Sequence, residues 1–334
     1  MSEVPAVQVV TLAKRSHTAG SVAPEALLRI TLPGVERLLV VESGTTGQPR
    51  HARAATNQLL RYQQEFPTAY PVFVAPYVSP AGAAICRAAN VGYVDLAGNG
   101  RLCFDNVCIL REGRPNPLPQ RREQRSLFSP RATRVLRACL LEPRRPWRLT
   151  DLAVQAGVSL GHAVNVTRCL ADREWLRRTS DGLRLTNAEA LLEAWADQHS
   201  LRRSSITAYH SAGDTGATEA ALVEACAASG VRYALTGLAA AARRATGVSC
   251  QHVSAYIDGD PDPVVQALAL ERVRSGANVL LLRPYDVGVF QGSTTIGGAV
   301  VVSVVQAYLD LIGHPGCSAE AAQILLEQAL RPTW

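Results

Sequence analysis

The chain has almost no lysine: Lys14 is the only one in 334 residues. Its positive charge is carried by arginine, whose guanidinium stays ionised and pairs two-pronged with phosphate and with guanine edges. No C-x-x-C pair occurs among the eight cysteines, which excludes the common zinc-ribbon and thioredoxin-type spacings. Cys250 and His252 make a lone C-x-H, too little for a zinc site. No apolar run reaches the roughly 18–20 residues that a membrane span requires. The first residues also lack the basic-then-apolar pattern of a secretory signal. The chain is therefore expected in the cytoplasm, with no membrane partner. Most cysteines sit inside apolar patterns and are expected to be reduced, buried thiols. An apolar content of 47% with 19% charged residues suits packed cores rather than disorder. The length implies two or three domains, and no internal repeat is visible.

Residues 1–110 read as mixed α/β. Arg37–Glu42 is a strand-like run. Ala52–Glu65 is helical, with Leu59, Leu60 and Tyr62 turned towards a core. Val72–Ala75 is a short buried strand, Pro80 opens a helix to about Ala89, and Val91–Val94, Leu102–Phe104 and Val107–Leu110 are further strands. Asp95 and Asn99, on a strand-to-turn segment, suit either a ligand site or an Asx turn that satisfies its own backbone. Residues 111–128 form a linker. Pro115, Pro117 and Pro119 forbid a helix there, and Arg121, Arg122 and Arg125 make it basic.

Residues 129–187 carry the clearest pattern. Ser129-Pro130 begins a helix whose apolar face is Val135, Leu136, Cys139 and Leu140. Pro143 and Pro146 stop it. Thr150 is placed to cap a short helix, Asp151–Gln155, which Gly157 ends. Ser159 caps a third helix that runs to about Arg173. Trp175-Leu176 begins a strand, Ser180-Asp181-Gly182 turns, and Leu183–Leu185 returns. Helix, helix, tight glycine turn, helix and hairpin make a winged helix-turn-helix. The block holds eleven arginines against five acids, an excess of +6 that equals the formal charge of the whole chain. Localised positive charge of this kind is the footprint of phosphate binding.

In the third helix of this block, Ala163, Val166 and Leu170 recur at core spacing. Ser159, Gly161, His162, Asn165 and Arg168 are left facing outwards, where a recognition helix meets base edges. Asn165 suits adenine. Arg173, Arg177, Arg178 and Arg184, on or beside the wing, suit phosphates. The DNA-binding set read from the sequence is these nine residues together with the linker arginines Arg121, Arg122 and Arg125.

Residues 188–334 are again α/β. A connecting helix (Ala188–Gln198) precedes strands near Ile206–Tyr209, Tyr233–Leu235, Val253–Ile257, Asn278–Leu282 and Ala299–Val302. Helices are expected near Glu219–Ala228, after Gly237, around Val264–Arg274, and at Val305–Ile312 and Ala319–Leu330.

Two resemblances add to this reading. The strand Arg37–Glu42, followed by a helix with Gln58 and Tyr62 in Q-x-x-x-Y spacing, resembles the PD-(D/E)XK nuclease-like fold. Gly44 stands where that family places its lysine, and the preceding strand, Leu28–Leu32, offers no aspartate. The resemblance thus implies a degenerate domain without catalysis or metal. The runs Tyr233–Ala240 (YALTGLAA) and Gln306–Leu311 (QAYLDL) resemble the C-terminal domain of AbiEi-type antitoxins. Those proteins join a winged helix to a nucleotidyltransferase-like α/β domain and repress their own promoters. The Asp258-Gly259-Asp260 run looks like a nucleotidyltransferase metal pair but lacks the Gly-Ser motif upstream, and it suits a turn with a helix cap.

The fold expected is therefore α/β multidomain: a degenerate restriction-endonuclease-like domain, a central winged helix-turn-helix, and a C-terminal nucleotidyltransferase-like domain over 188–334. The function expected is sequence-specific double-stranded DNA binding by a transcriptional regulator, a repressor of antitoxin type, with no enzymatic activity and no cofactor. The alternatives are a metal-dependent nuclease or nucleotidyltransferase of a defence or toxin–antitoxin system, and a protein-binding antitoxin. Candidate partners besides operator DNA are a second copy of the chain and a cognate toxin or regulatory protein.

Overall fold

A computed structural model describes residues 8–14, 24–117, 127–313 and 319–334. The chain divides into two compact units, residues 1–124 with 169–174, and residues 125–168 with 175–334.

The first unit holds β1 (Gln8–Lys14), β2 (Ala26–Leu32), β3 (Val35–Ser43), α1 (Pro49–Glu65), β4 (Tyr70–Ala75), α2 (Pro80–Ala88), β5 (Gly92–Asp95), β6 (Gly100–Phe104) and β7 (Val107–Arg111). Its seven strands lie in one sheet in chain order. β1–β3 and β5–β7 pair antiparallel, while β3, β4 and β5 run parallel. A parallel step needs a crossover, and α1 and α2 supply the two. Strand alternation then makes two cores. Val40 and Phe73 face one side with the helices, and Leu39, Val41 and Val72 face the other. Pro49 starts α1, and Ala52, Ala55, Leu59 and Tyr62 are buried at helical spacing. Leu60, expected inside, is 40% exposed. It lies one position round the helix from Leu59, outside the stripe that Leu59 and Tyr62 define.

The β6–β7 hairpin overturns one expectation. Cys103 and Cys108 are disulfide-bonded, not reduced. They are register partners across the two-residue turn Asp105-Asn106. A search for C-x-x-C misses a pair that a hairpin brings face to face. Cys86, Cys139 and Cys226 are free and buried, and Cys169 and Cys250 are free and partly buried.

The second unit opens with α3 (Pro130–Leu141), α4 (Leu149–Ala156), α5 (Leu160–Asp172, its last turn clustering with the first unit), β8 (Leu176–Thr179) and β9 (Gly182–Leu185). There follow α6 (Ala188–Ala196), β10 (Ser205–His210), α7 (Thr215–Ser229), β11 (Arg232–Thr236), α8 (Gly237–Arg244), β12 (Val253–Asp258), α9 (Asp262–Ala267), β13 (Glu271–Arg272), β14 (Val279–Arg283), β15 (Thr294–Ile296), β16 (Ala299–Val301), α10 (Val304–Gly313) and α11 (Ala319–Leu325). The large sheet has the order β13-β10-β14-β12-β11-β16-β15. The helix expected around Val264–Arg274 is shorter, ending at Ala267, because Glu271-Arg272 pairs as an edge strand on β10. The protein is thus mixed α/β with separate sheets, and none of its described helices is long and apolar enough to cross a membrane.

The runs Tyr233–Ala240 and Gln306–Leu311 meet in this unit's interior. Asp310 on α10 accepts the Thr236 hydroxyl at 2.6 Å, the Gln306 amide at 2.7 Å and the Tyr256 hydroxyl at 3.1 Å, and it lies 3.0 Å from His199 Nε2. Gln306 Oε1 accepts from the Arg137 guanidinium at 2.5 Å. Arg137, on α3, is 1% exposed, and its guanidinium lies 5.0 Å from the Trp195 ring. Burial holds it below the usual arginine pKa, and the negative charge of Asp310 opposes that shift. A second tie on the same helix is the two-pronged pair of Arg134 with Asp286, at 2.8 Å for each bond.

Removing one partner of a buried ionic group leaves the rest uncompensated. Asp310→Ala is therefore expected to lower the unfolding free energy by about 3–5 kcal/mol, read from the urea midpoint; a loss under 1 kcal/mol contradicts the role given to this carboxylate. Alkaline pH offers another check. Burial raises the thiol of Cys139 to about 12 and those of Cys86 and Cys226 to about 11. In the unfolded chain these groups ionise near pH 8.5. Stability is thus fully present below about pH 8.5 and declines as pH rises towards the folded values. Urea melts between pH 7 and 10.5 should show that decline, and Cys139→Ala should make it shallower.

Candidate nucleic-acid interface

The helix-turn-helix is set by short-range chemistry. Pro130 occupies the first turn of α3, where its missing N–H is no loss. α4 begins at Leu149, so Thr150 lies inside the helix and is not its cap. The chain has already turned at Trp147, one residue before the Arg148 cap position. Gly157 ends α4 in the left-handed conformation at φ 61°, as the tight turn requires. Ser159 then caps α5, its Oγ accepting from His162 N at 3.3 Å. Ala163, Val166 and Leu170 are buried, as their spacing predicts.

The β8–β9 hairpin has a further backbone bridge that the sequence alone does not suggest. Trp147 pairs antiparallel with Leu183 through two 2.8 Å backbone bonds. The Trp147 side chain is fully buried, and the Arg145 guanidinium covers its ring at 4.0 Å. A lone tryptophan directly after Pro146 carries no strand periodicity; its only signal was its size.

On α5, Ser159, Gly161, Asn165 and Arg168 are exposed, and Arg168 donates to Asn165 Oδ1 at 3.3 Å. His162 is only half exposed, and its Nε2 is sealed from solvent. Leu160 and Val164, not singled out by the sequence reading, stand at the surface beside these polar groups. On the wing, Arg177 and Arg178 are exposed and make no ion pair among the described residues. Arg148, before α4, is likewise exposed and unpaired. Arg184 is engaged by Asp181 across the hairpin turn, and that pairing holds the Asp181 carboxyl well below the usual range. Arg173 is half-buried and donates to the Cys169 carbonyl at 2.9 Å. Arg121, Arg122 and Arg125 lie outside the described residues.

The block's arginine excess therefore divides in two. Arg134, Arg137, Arg144 and Arg145 serve the fold: besides the contacts above, Arg144 donates to the Trp334 carbonyl at 2.8 Å and Arg145 pairs with Glu142 at 2.9 Å. Arg148, Arg168, Arg177 and Arg178 remain at the surface.

The candidate residues elsewhere lie apart from this block. Glu42 lies near the end of β3, Gln58 is half-buried on α1, and Tyr62 is buried in the helix-side core. Both oxygens of Asp95 are committed to local structure: they accept Val78 N at 3.1 Å, Asn99 N at 2.8 Å and the Asn99 amide at 3.0 Å. Asn99 in turn receives Arg114 N at 2.8 Å. The Asp95 carboxylate thus closes the 95–99 turn and ties it to Val78, without the two-residue spacing of an Asx turn. Asp260 accepts from Asp262 N at 3.1 Å, while Asp258 lies 3.8 Å from Arg232. Among the described residues no three His, Cys, Asp or Glu side chains group as metal ligands.

Gly161 has no structural reason to be glycine. Its φ is not positive, and a Cβ there would meet nothing within 4 Å. Glycine in a helix is about 1 kcal/mol less favourable than alanine. Gly161→Ala is expected to stabilise the fold by roughly that amount, measured by urea denaturation; destabilisation would show a constraint at this position that the geometry lacks.

Comparison with known proteins bears on the C-terminal half. No curated protein and no solved structure matches the chain. Residues 184–331, just under half of it, match a family model described as "Transcriptional regulator, AbiEi antitoxin, Type IV TA system", where TA denotes toxin–antitoxin. The match begins within β9, so it leaves the helix-turn-helix and the whole first unit outside. Over residues 184–331 the chain is thus similar to transcriptional regulators of the AbiEi antitoxin type.

Proposed function

We propose that this protein is a sequence-specific double-stranded DNA-binding repressor of antitoxin type. The observation that carries the reading is α5, held by a left-handed glycine turn and presenting Ser159, Asn165 and Arg168 to solvent beside a wing with two unpaired arginines. Such a helix enters the major groove with its N-terminal residues on base edges, and the wing and α4 arginines hold the flanking phosphates. The C-terminal segment supports the regulatory context, since the matching family is described as a transcriptional regulator and antitoxin. Repression would follow from a winged helix seated over its own promoter. A cognate toxin and a second copy of the chain are the partners this context suggests.

We read the first unit as a nuclease-like domain without catalysis. Supporting this are three antiparallel strands followed by a helix and a parallel strand, with Asp95 committed to its turn.

Binding of the full chain to its selected duplex should weaken steeply with salt. Arg177→Gln and Arg178→Gln should each reduce the log K against log salt slope by about 1 without changing sequence preference. Gly161→Ala should bind less tightly despite its greater stability. Salt-independent binding, or none, rejects the proposal.

A further inference from the structure

We infer that Leu160 and Val164, with Gly161 beside them, form an apolar strip that reads thymine methyl groups in the major groove. The inference rests on the DNA-binding reading above and adds to it a base preference.

Leu160 is 49% and Val164 41% exposed, four residues apart and hence one above the other on one helix face. The interior of the domain does not use them, because α5 buries Ala163, Val166 and Leu170 instead. Large apolar side chains left in water on a short helix call for a covering surface. The surrounding charge identifies its chemistry. Arg168 lies on the same helix, and Arg148, Arg177 and Arg178 stand unpaired on neighbouring elements. A duplex supplies both features at once: phosphates for the arginines, and on its major-groove edges the thymine 5-methyl for apolar carbon. Gly161 fits the same geometry. With no Cβ and open space around it, it lets the helix backbone come close to the base edges. Val164 is β-branched and stiff at χ1, so it presents its methyls with little ordering loss.

The test uses the full-length protein and a duplex selected by it from a pool with a randomised core. Each thymine of that duplex is replaced in turn by uracil, which removes only the methyl. At one or more positions in the bound site the substitution should weaken binding about fourfold, the effect of one buried methyl. Val164→Ala or Leu160→Ala should weaken binding to the thymine duplex by a similar factor and lose the thymine–uracil difference at that position. Val154→Ala, an exposed apolar change on the preceding helix, should keep it. All three side chains are exposed, so thermal melting should be unchanged. Indifference of the unaltered protein to every uracil substitution overturns the inference while leaving DNA binding intact. So does full discrimination retained by both α5 variants, an outcome that would reassign the strip to a protein partner. Failure to retain any duplex removes the DNA-binding reading and this inference together.

Discussion

A guanidinium with 1% exposure cannot sit in a protein interior unless its charge is answered, and the second unit is arranged around answering it. Arg137 belongs to α3, whereas its acceptor, Gln306, and the carboxylate behind it, Asp310, belong to α10, within the residues that match the family model. The chain of bonds runs on through Thr236, Tyr256 and His199, each from a different part of the unit. Breaking it anywhere exposes a buried polar group to an apolar surrounding. The three-helix and hairpin segment, residues 130–185, is thus not a bead on a string beside the α/β sheet that follows it. Through Arg137 and Arg134 it is part of the same cooperative unit, and whatever acts on α10 acts on α3.

This arrangement explains the meaning of the two motifs that resembled AbiEi-type proteins. Thr236 lies in one and Gln306 and Asp310 in the other, and the structure brings all three to one hydrogen-bonded centre. Their residue types look functional, a buried acid among hydroxyls and an amide, yet every described partner is internal.

Much of the run of three helices and a hairpin over residues 130–185 was legible because its signals are local. Proline at a helix start, glycine at φ 61°, a serine cap and a 3.6-residue apolar period each act within a few residues. The missed features depend on long-range pairing. Trp147 forms its β-bridge only because Leu183, far along the chain, offers its backbone. Cys103 finds Cys108 only once the hairpin register is fixed. Charge was legible as a sum but not as a distribution: nothing in the sequence separates Arg137, sealed in the interior, from Arg177, free on the wing. Composition counts guanidiniums, and only packing says which of them face a ligand. The exposed Leu160 and Val164 of α5 were passed over because the sequence reading sorted the outward positions by polar chemistry.

The backbone bridge between Trp147 and Leu183 has a mechanical consequence. It holds the hairpin close to its Ser180-Asp181 turn, where Asp181 is also tied to Arg184 and Thr179. On the DNA-binding reading proposed above, a hairpin held so near its tip would leave the fit to a groove of variable width to the duplex, and sequences that bend or narrow easily beneath Arg177 and Arg178 would be favoured over stiff ones. Selectivity in the flanks of an operator would then come from the elasticity of DNA rather than from any base the protein touches.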